Sequence, residues 1–333
     1  MIKKILLGVV VIAVLLVLVI MFGLNKKYEA INYQTNFSIP PLSELDAFVA
    51  KKEADYSLRA DNQARIIWND SIPSKTEYAL VYLHGFGASP QEANPTHRQI
   101  AKQYGMNLYL ARIDGHGSNE EYMMLNMTPN SMMNSALEAI AIGKRIGEKV
   151  IIMSTSTGAT YATGIMANDP SIHAAINYSP NYDLADPNTH ILLKPFGLQI
   201  ARLLSGGKLR SWNPPAEAAP YWTTTYRLEA TLALRALINM VMTEENIKAI
   251  KQPMLNVAYY KDDENQDDVV SVPAMETVHQ QLGTDDAKKR FVKLPDVGTH
   301  IMSNPIFSKD IESVKRVTEQ FMEEVLKIEK IRS

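Results

Sequence analysis

The chain has 333 residues, 46% hydrophobic and 21% charged, with 34 Lys and Arg against 36 Asp and Glu, 16 glycines, 17 prolines and no cysteine. This composition excludes a disordered, collagen-like or disulfide-stapled protein and allows one large domain or two ordinary ones. The near-neutral charge gives no reason to expect a nucleic-acid partner, and the missing cysteine removes thiolate metal sites, thiol nucleophiles and a lipid-modified cysteine.

The N-terminus is the least average segment. Ile5 to Leu24 is an unbroken apolar run flanked by Lys3-Lys4 and Lys26-Lys27. As a helix it is roughly 30 Å long, the thickness of a bilayer's hydrocarbon core. It exceeds the roughly 7–15 apolar residues of a cleavable signal core and offers no small-x-small cleavage site, so residues 5–24 are expected to be an uncleaved transmembrane signal anchor. The flanking lysines nearly balance, and the N-terminal amine tips the expectation towards a cytoplasmic N-terminus with the body on the extracytoplasmic side. Residues 25–57 read as a polar connector, Lys26 to Pro41, and a helix capped by Ser43 with Leu42, Leu45, Phe48 and Val49 on one face.

Residues 58–333 read as one domain. Predicted strands at Ala64–Trp68 and Tyr78–His84 lead into His84-Gly85-Phe86-Gly87. Its two glycines allow a sharp turn with unobstructed amide N–H groups, which suits an oxyanion-binding loop as well as an ordinary turn. A helix at Pro95–Tyr104 and a strand at Asn107–Ile113 precede Asp114-Gly115-His116-Gly117, where His116 is read as shaping the loop. A helix at Pro129–Ile146 then leads to a strand at Val150–Ser154 and a helix at Thr157–Asn168. Between these two lies Ser154-Thr155-Ser156-Thr157-Gly158, a small-x-Ser-x-Gly pattern at a strand-to-helix turn. That context marks Ser156 as a nucleophile on a strained elbow at a helix N-terminus.

After a strand at Ala174–Ser179, residues 181–252 hold no convincing strand and are expected to form an inserted helical cap, with helices at Ile191–Leu204 and Arg227–Met242. Its apolar residues include Leu192, Leu193, Phe196, Trp222, Leu232, Leu234, Leu237 and Met242. The strand Met254–Tyr260 opens into the acidic loop Asp262–Asp268. This loop lacks the spacing and glycine turn of a calcium loop. Asp267, just before the apolar pattern resumes, is the candidate acid, and Asp263, nearer the strand, is its rival. A helix at Val272–Leu282, a strand at Arg290–Leu294 and a helix at Asn304–Ile328 complete the chain. His300, on the loop after the last strand, is the candidate general base.

Continuous apolar strands interleaved with helices indicate an α/β fold with a mostly parallel sheet covered on both faces. In such sheets ligands bind beyond the carboxyl ends of the strands, where these loops lie.

Ser156, Asp267 and His300 in that order, with the elbow, the His-Gly-Phe-Gly and Asp-Gly-His-Gly loops and the run Gln-Asp-Asp-Val-Val-Ser, resemble the α/β-hydrolase superfamily from about Tyr78 onwards. Ser154 stands where that elbow usually has its first glycine. The resemblance favours Asp267 as the acid and implies backbone donors at Phe86 and Thr157 for an oxyanion hole. It further implies a carboxylesterase- or lipase-like serine hydrolase working through an acyl-enzyme, with no metal or organic cofactor. The apolar cap and the anchor point to a small ester with an apolar acyl or alcohol group, such as a monoacylglycerol, lysophospholipid or other medium-chain ester. A thioesterase or peptidase could use the same triad, and a non-catalytic membrane-anchored binding protein could keep the fold.

Overall fold

The computed structural model describes residues 2–22 and 26–331, with side chains at 4–15 and from 26 onwards. Its strands are β1 (Arg65–Ile67), β2 (Thr76–Leu83), β3 (Asn107–Leu110), β4 (Gly147–Thr155), β5 (Ile172–Tyr178), β6 (Leu209–Ser211), β7 (Thr225–Arg227), β8 (Met254–Tyr259) and β9 (Lys289–Leu294). Seven form one sheet in the order β1-β3-β2-β4-β5-β8-β9, with β6 and β7 paired separately. Every pairing in the large sheet is parallel except β1 with β3.

The strands are apolar on both sides because both faces are covered. Ala79, Val81 and Leu83 of β2 join Val150 and Ile152 of β4 in one buried cluster, while Leu80 and Tyr82 join Ile151 and Met153 in another. The first cluster is closed by α2 (Leu42–Ala54), α4 (Pro129–Ile146), α5 (Thr157–Asn168), α7 (Leu228–Val241), α8 (Glu244–Ala249) and α9 (Val272–Gln281). The second is closed by α3 (Thr96–Gln103) and α10 (Ile311–Gln320). Helix α4 starts with Thr128 and Ser131 in a reciprocal capping box, which satisfies two otherwise free amides.

Four expectations need correction. The cap contains a hairpin, β6 against β7, whose three-residue strands are too short to show an alternating pattern. Ile191–Leu204 is a 3₁₀ turn, Pro187–Leu193, followed by α6 (Gly197–Leu204). Pro195 interrupts the helix, Phe196 has φ of 57°, and a Cβ on Gly197 would meet Ile191 O at 1.8 Å. Helix α2 is preceded by Pro41 with no side-chain cap, so Ser43 does not cap it. The last helix begins at Ile311, where Asp310 accepts from Ser313 N, because Asn304 O first accepts from Phe307 and Ser308 N in a turn.

The N-terminal run forms α1 (Ile2–Phe22), with Ile5 to Leu15 exposed where side chains are described. The end of the apolar run, at 23–24, lies outside the described residues. Among the described residues no helix is long and apolar enough to cross a membrane. The connector lies against the body: Tyr28, Ile31, Tyr33 and Ile39 pack on the first core cluster. Helix α2 is tied in by Glu53, which accepts from Arg112 Nε at 2.7 Å, Arg112 Nη2 at 3.0 Å and Ala64 N at 2.8 Å.

Candidate active site

Strand β4 delivers Ser156 to the N-terminus of α5, at the carboxyl edge of the sheet. Ser156 has φ of 54° and ψ of −119°, a conformation L-residues rarely adopt. The surroundings enforce it: Ser156 N donates to Tyr178 O at 3.0 Å, and Ser156 O accepts from Ala159 N at 2.9 Å and Asn181 N at 3.0 Å. Position 158 must be glycine, since a Cβ there would lie 2.0 Å from Leu83 O. Ser154 fits in place of the usual glycine because its hydroxyl turns away and donates to Asn177 Oδ1 at 2.7 Å.

The loop after β2 faces this elbow. Gly85 N donates to Glu92 Oε2 at 2.7 Å and Gly87 N to His116 Nε2 at 2.9 Å. Between them, Phe86 N has no partner among the described residues, and neither has Thr157 N on the first turn of α5. The two expected donors are therefore free to bind an anion. Gly87, at φ of 74°, passes its carbonyl to Thr223 N, which fastens the cap to this loop.

The neighbouring histidines are structural. His116 Nδ1 lies 2.8 Å from Asp114 O, so Nδ1–H donates while Nε2 accepts from Gly87. Both nitrogens are used in the neutral ring, and burial pushes its pKa down to about 4. His84 is held likewise between Gly85 O and Ile113 N, and burial holds it well below the usual range. His116 thus shapes its loop, as expected.

His300 is different. Its Nδ1 lies 2.7 Å from Asp267 Oδ2, while Asp267 Oδ1 accepts from Val269 N at 3.0 Å and Val270 N at 3.1 Å. Burial pushes the Asp267 carboxyl up, but the charge and hydrogen bond of His300, with the two amides, outweigh it and hold the carboxyl low. Burial likewise pushes His300 down, yet the charge and hydrogen bond of Asp267, then the charges of Glu92 and Asp268, leave it raised.

The rival acid is carried elsewhere. Tyr260 pairs with Gln266, and Lys261 N donates to Asn265 O, folding the acidic loop back on itself. Asp263 ends exposed, accepting from Tyr260 OH at 2.7 Å, whereas Asp267 returns to the strand, its N–H donating to Tyr259 O.

Ser156, Thr157, Phe86 and His300 line one cavity of about 760 Å³. Ser156 Oγ makes no hydrogen bond to His300 in this arrangement; such contacts commonly tighten only when substrate binds. The cap side of the cavity is aromatic, with Trp212, Trp222 and Tyr226, while Asp186, Arg210, Glu264 and Asp268 are also in the lining. Of the cap's apolar residues singled out in the sequence, Trp222 and Leu234 reach the cavity, while Leu192, Leu232 and Leu237 are buried in packing.

Two features escaped sequence reasoning. The β6–β7 hairpin supplies Arg210 and Tyr226, with Trp212 next to it, and its short mixed strands carry no signal. Glu92 also lines the cavity with 2% exposure, and a glutamate in a proline-flanked loop gives no sign of burial.

No family model matches the chain, and no curated relative does. Solved structures do. A structure of the metagenome-derived lipolytic enzymes LipS and LipT aligns with a TM-score of 0.65 at 14% identity, covering 80% of this chain and 99% of that one. A monoacylglycerol lipase from Paleococcus ferrophilus aligns at 0.57 and 14%, covering 78% and 97%. Est1E from Butyrivibrio proteoclasticus, with ferulic acid bound, aligns at 0.55 and 19%, covering 80% and 95%. With the parallel sheet, the elbow after β4 and the inserted cap, these alignments define the chain as an α/β-hydrolase-fold protein.

Proposed function

We propose that the protein is a serine hydrolase that cleaves carboxylic esters through an acyl-enzyme. One observation carries the reading: a strained Ser156 shares its cavity with His300, already paired to Asp267, and with two unpartnered amides. Ser156 Oγ attacks the ester carbonyl carbon as His300 Nε2 takes its proton, and Asp267 holds the Nδ1–H tautomer and stabilises the imidazolium. Phe86 N and Thr157 N donate to the tetrahedral oxyanion, a contribution of about 3 kcal/mol per donor. The imidazolium then protonates the leaving alkoxide, the C–O bond breaks, and water activated by the same histidine releases the acid.

The aromatic cap wall supports a substrate with an apolar acyl or alcohol group, and the similarity to lipases and esterases supports an ester over a thioester or peptide. Hydrolysis of p-nitrophenyl esters of graded acyl length, compared with thioester and peptide substrates, tests this; preference for the peptide or thioester would overturn it. A non-catalytic binding protein is the weaker reading because Ser156, an Asp267-paired His300 and two unpartnered amides share one cavity. The apolar run at 5–24 supports a membrane-anchored enzyme, and the N-terminal amine beside nearly balanced lysines supports a body on the extracytoplasmic side; tethering there favours lipid-derived esters such as monoacylglycerol or lysophospholipid as substrates. Retention of the full chain in alkaline-washed membranes tests the anchor, and protease accessibility in spheroplasts tests the side.

A further inference from the structure

Glu92 is a buried carboxyl that the mechanism above leaves unused. It sits in the 3₁₀ turn Pro90–Ala93, and no Lys or Arg pairs with it among the described residues. A buried charge without a cation is costly, so the local structure must compensate it. Its Oε2 accepts from Gly85 N at 2.7 Å and from Tyr82 OH at 2.9 Å, and Tyr82 OH lies 3.0 Å from Thr155 Oγ1. Gly85 directly precedes Phe86, and Thr155 directly precedes Ser156. The carboxyl therefore ties the loop bearing one oxyanion donor to the elbow bearing the nucleophile. The approach is close: a Cβ on Gly85 would lie 2.9 Å from Glu92 Oε1 and 3.0 Å from Ser156 Cβ.

We propose that Glu92 is a positioning residue of this site, which aims Phe86 N–H through its grip on Gly85 and, with Asp267, lends negative charge to the His300 imidazolium. This rests on the hydrolase reading above. The groups facing the pair are few. His300 feels Asp267 and Asp268 from the loop after β8, and Glu92 from the turn before α3. Glu92 meets Tyr82 from β2 and His300. His97 of α3 packs on Tyr82 and stays neutral, its pKa pushed by burial to about 3. Burial pushes Glu92 itself up to about 7, against the lowering effect of Gly85 N–H, Tyr82 OH and His300. Its charge is therefore present over the upper part of the working pH range.

The test is the pH profile of kcat/KM for p-nitrophenyl butyrate on the full chain, for wild type, Glu92→Gln and Glu92→Asp. Glu92→Gln keeps an acceptor for Gly85 and loses the charge, so the acid limb moves to lower pH, by less than the roughly one unit of a permanent neighbouring charge because Glu92 itself takes up a proton near pH 7. Glu92→Asp keeps the charge and loses the reach, so the limb stays and plateau kcat falls about tenfold or more, as for a weakened oxyanion donor. If the Gln profile superimposes on wild type, or Asp leaves kcat unchanged, the role of Glu92 is overturned while the hydrolase stands. If wild type neither turns over nor takes a fluorophosphonate label, the hydrolase reading fails and this role with it.

Discussion

Asp267 Oδ2 stands 2.7 Å from His300 Nδ1, and the other oxygen of that carboxylate is held by two backbone amides at the start of the next apolar run. The carboxylate is fixed on both sides and faces the imidazole with one oxygen. Asp263, four positions earlier, is exposed and bonded to Tyr260. Asp267→Asn is therefore expected to lower kcat by roughly 10⁴, the loss that follows when a catalytic histidine takes the wrong tautomer. Asp263→Asn should stay within about twofold, as surface changes usually do. Ester turnover of the two variants decides, and a large loss confined to Asp263→Asn would reassign the acid.

The acid limb of activity follows from the same pair. In the proposed mechanism His300 must be neutral to accept a proton, and it is raised above the ordinary histidine value because the carboxylates around it outweigh burial. The kcat/KM of wild type should thus fall about tenfold per pH unit below an apparent pKa that lies above ~6.5. A limb centred below that value would contradict the electrostatics described.

The burial of Glu92 also makes folding stability depend on pH. Its folded pKa, about 7, lies above the ordinary 4.5, so its contribution to stability is full below the ordinary value and is lost as pH rises towards 7. The loss amounts to roughly 3 kcal/mol between those limits. Urea melts at pH 5 and pH 8 should show wild type losing more stability than Glu92→Gln over that interval. Parallel losses would mean that the carboxyl is not strained by its burial.

Apolar packing holds the N-terminal region on the body, and Glu53 and Arg112, with side chains 9% and 5% exposed, add a buried ion pair to it. Glu53→Ala leaves Nε and Nη2 of a buried guanidinium and the Ala64 amide without their acceptor, and should destabilise by about 3–5 kcal/mol. Denaturant unfolding measures it, and a change under about 1 kcal/mol would show the pair to be solvent-screened.

The sheet was legible because β2 and β4 carry continuous apolar runs, Tyr78–Leu83 and Val150–Met153, and β5 and β8 are shorter, largely apolar segments, all matching strands buried on both faces. The elbow was legible because small residues at 154 and 158 are a steric need that the Leu83 carbonyl makes concrete. Spacing alone left Asp263 and Asp267 open and the resemblance favoured Asp267; the backbone path, through the Tyr260–Gln266 pairing and the Lys261–Asn265 bond, turns the first outwards and the second back to the strand. The cap hairpin and Glu92 were not legible. Three-residue strands show no period, and a buried carboxylate is defined by partners, Gly85 N–H and Tyr82 OH, that only the fold brings to it.

Acyl transfer at this site requires Ser156 to be an activated nucleophile. Fluorophosphonate labelling of the full chain, with the modified residue located by peptide mass spectrometry, tests it most directly. One labelled serine, Ser156, is expected, with labelling abolished in Ser156→Ala and strongly slowed in His300→Ala. Labelling that persists in Ser156→Ala, or a wild type that takes no label, would contradict it.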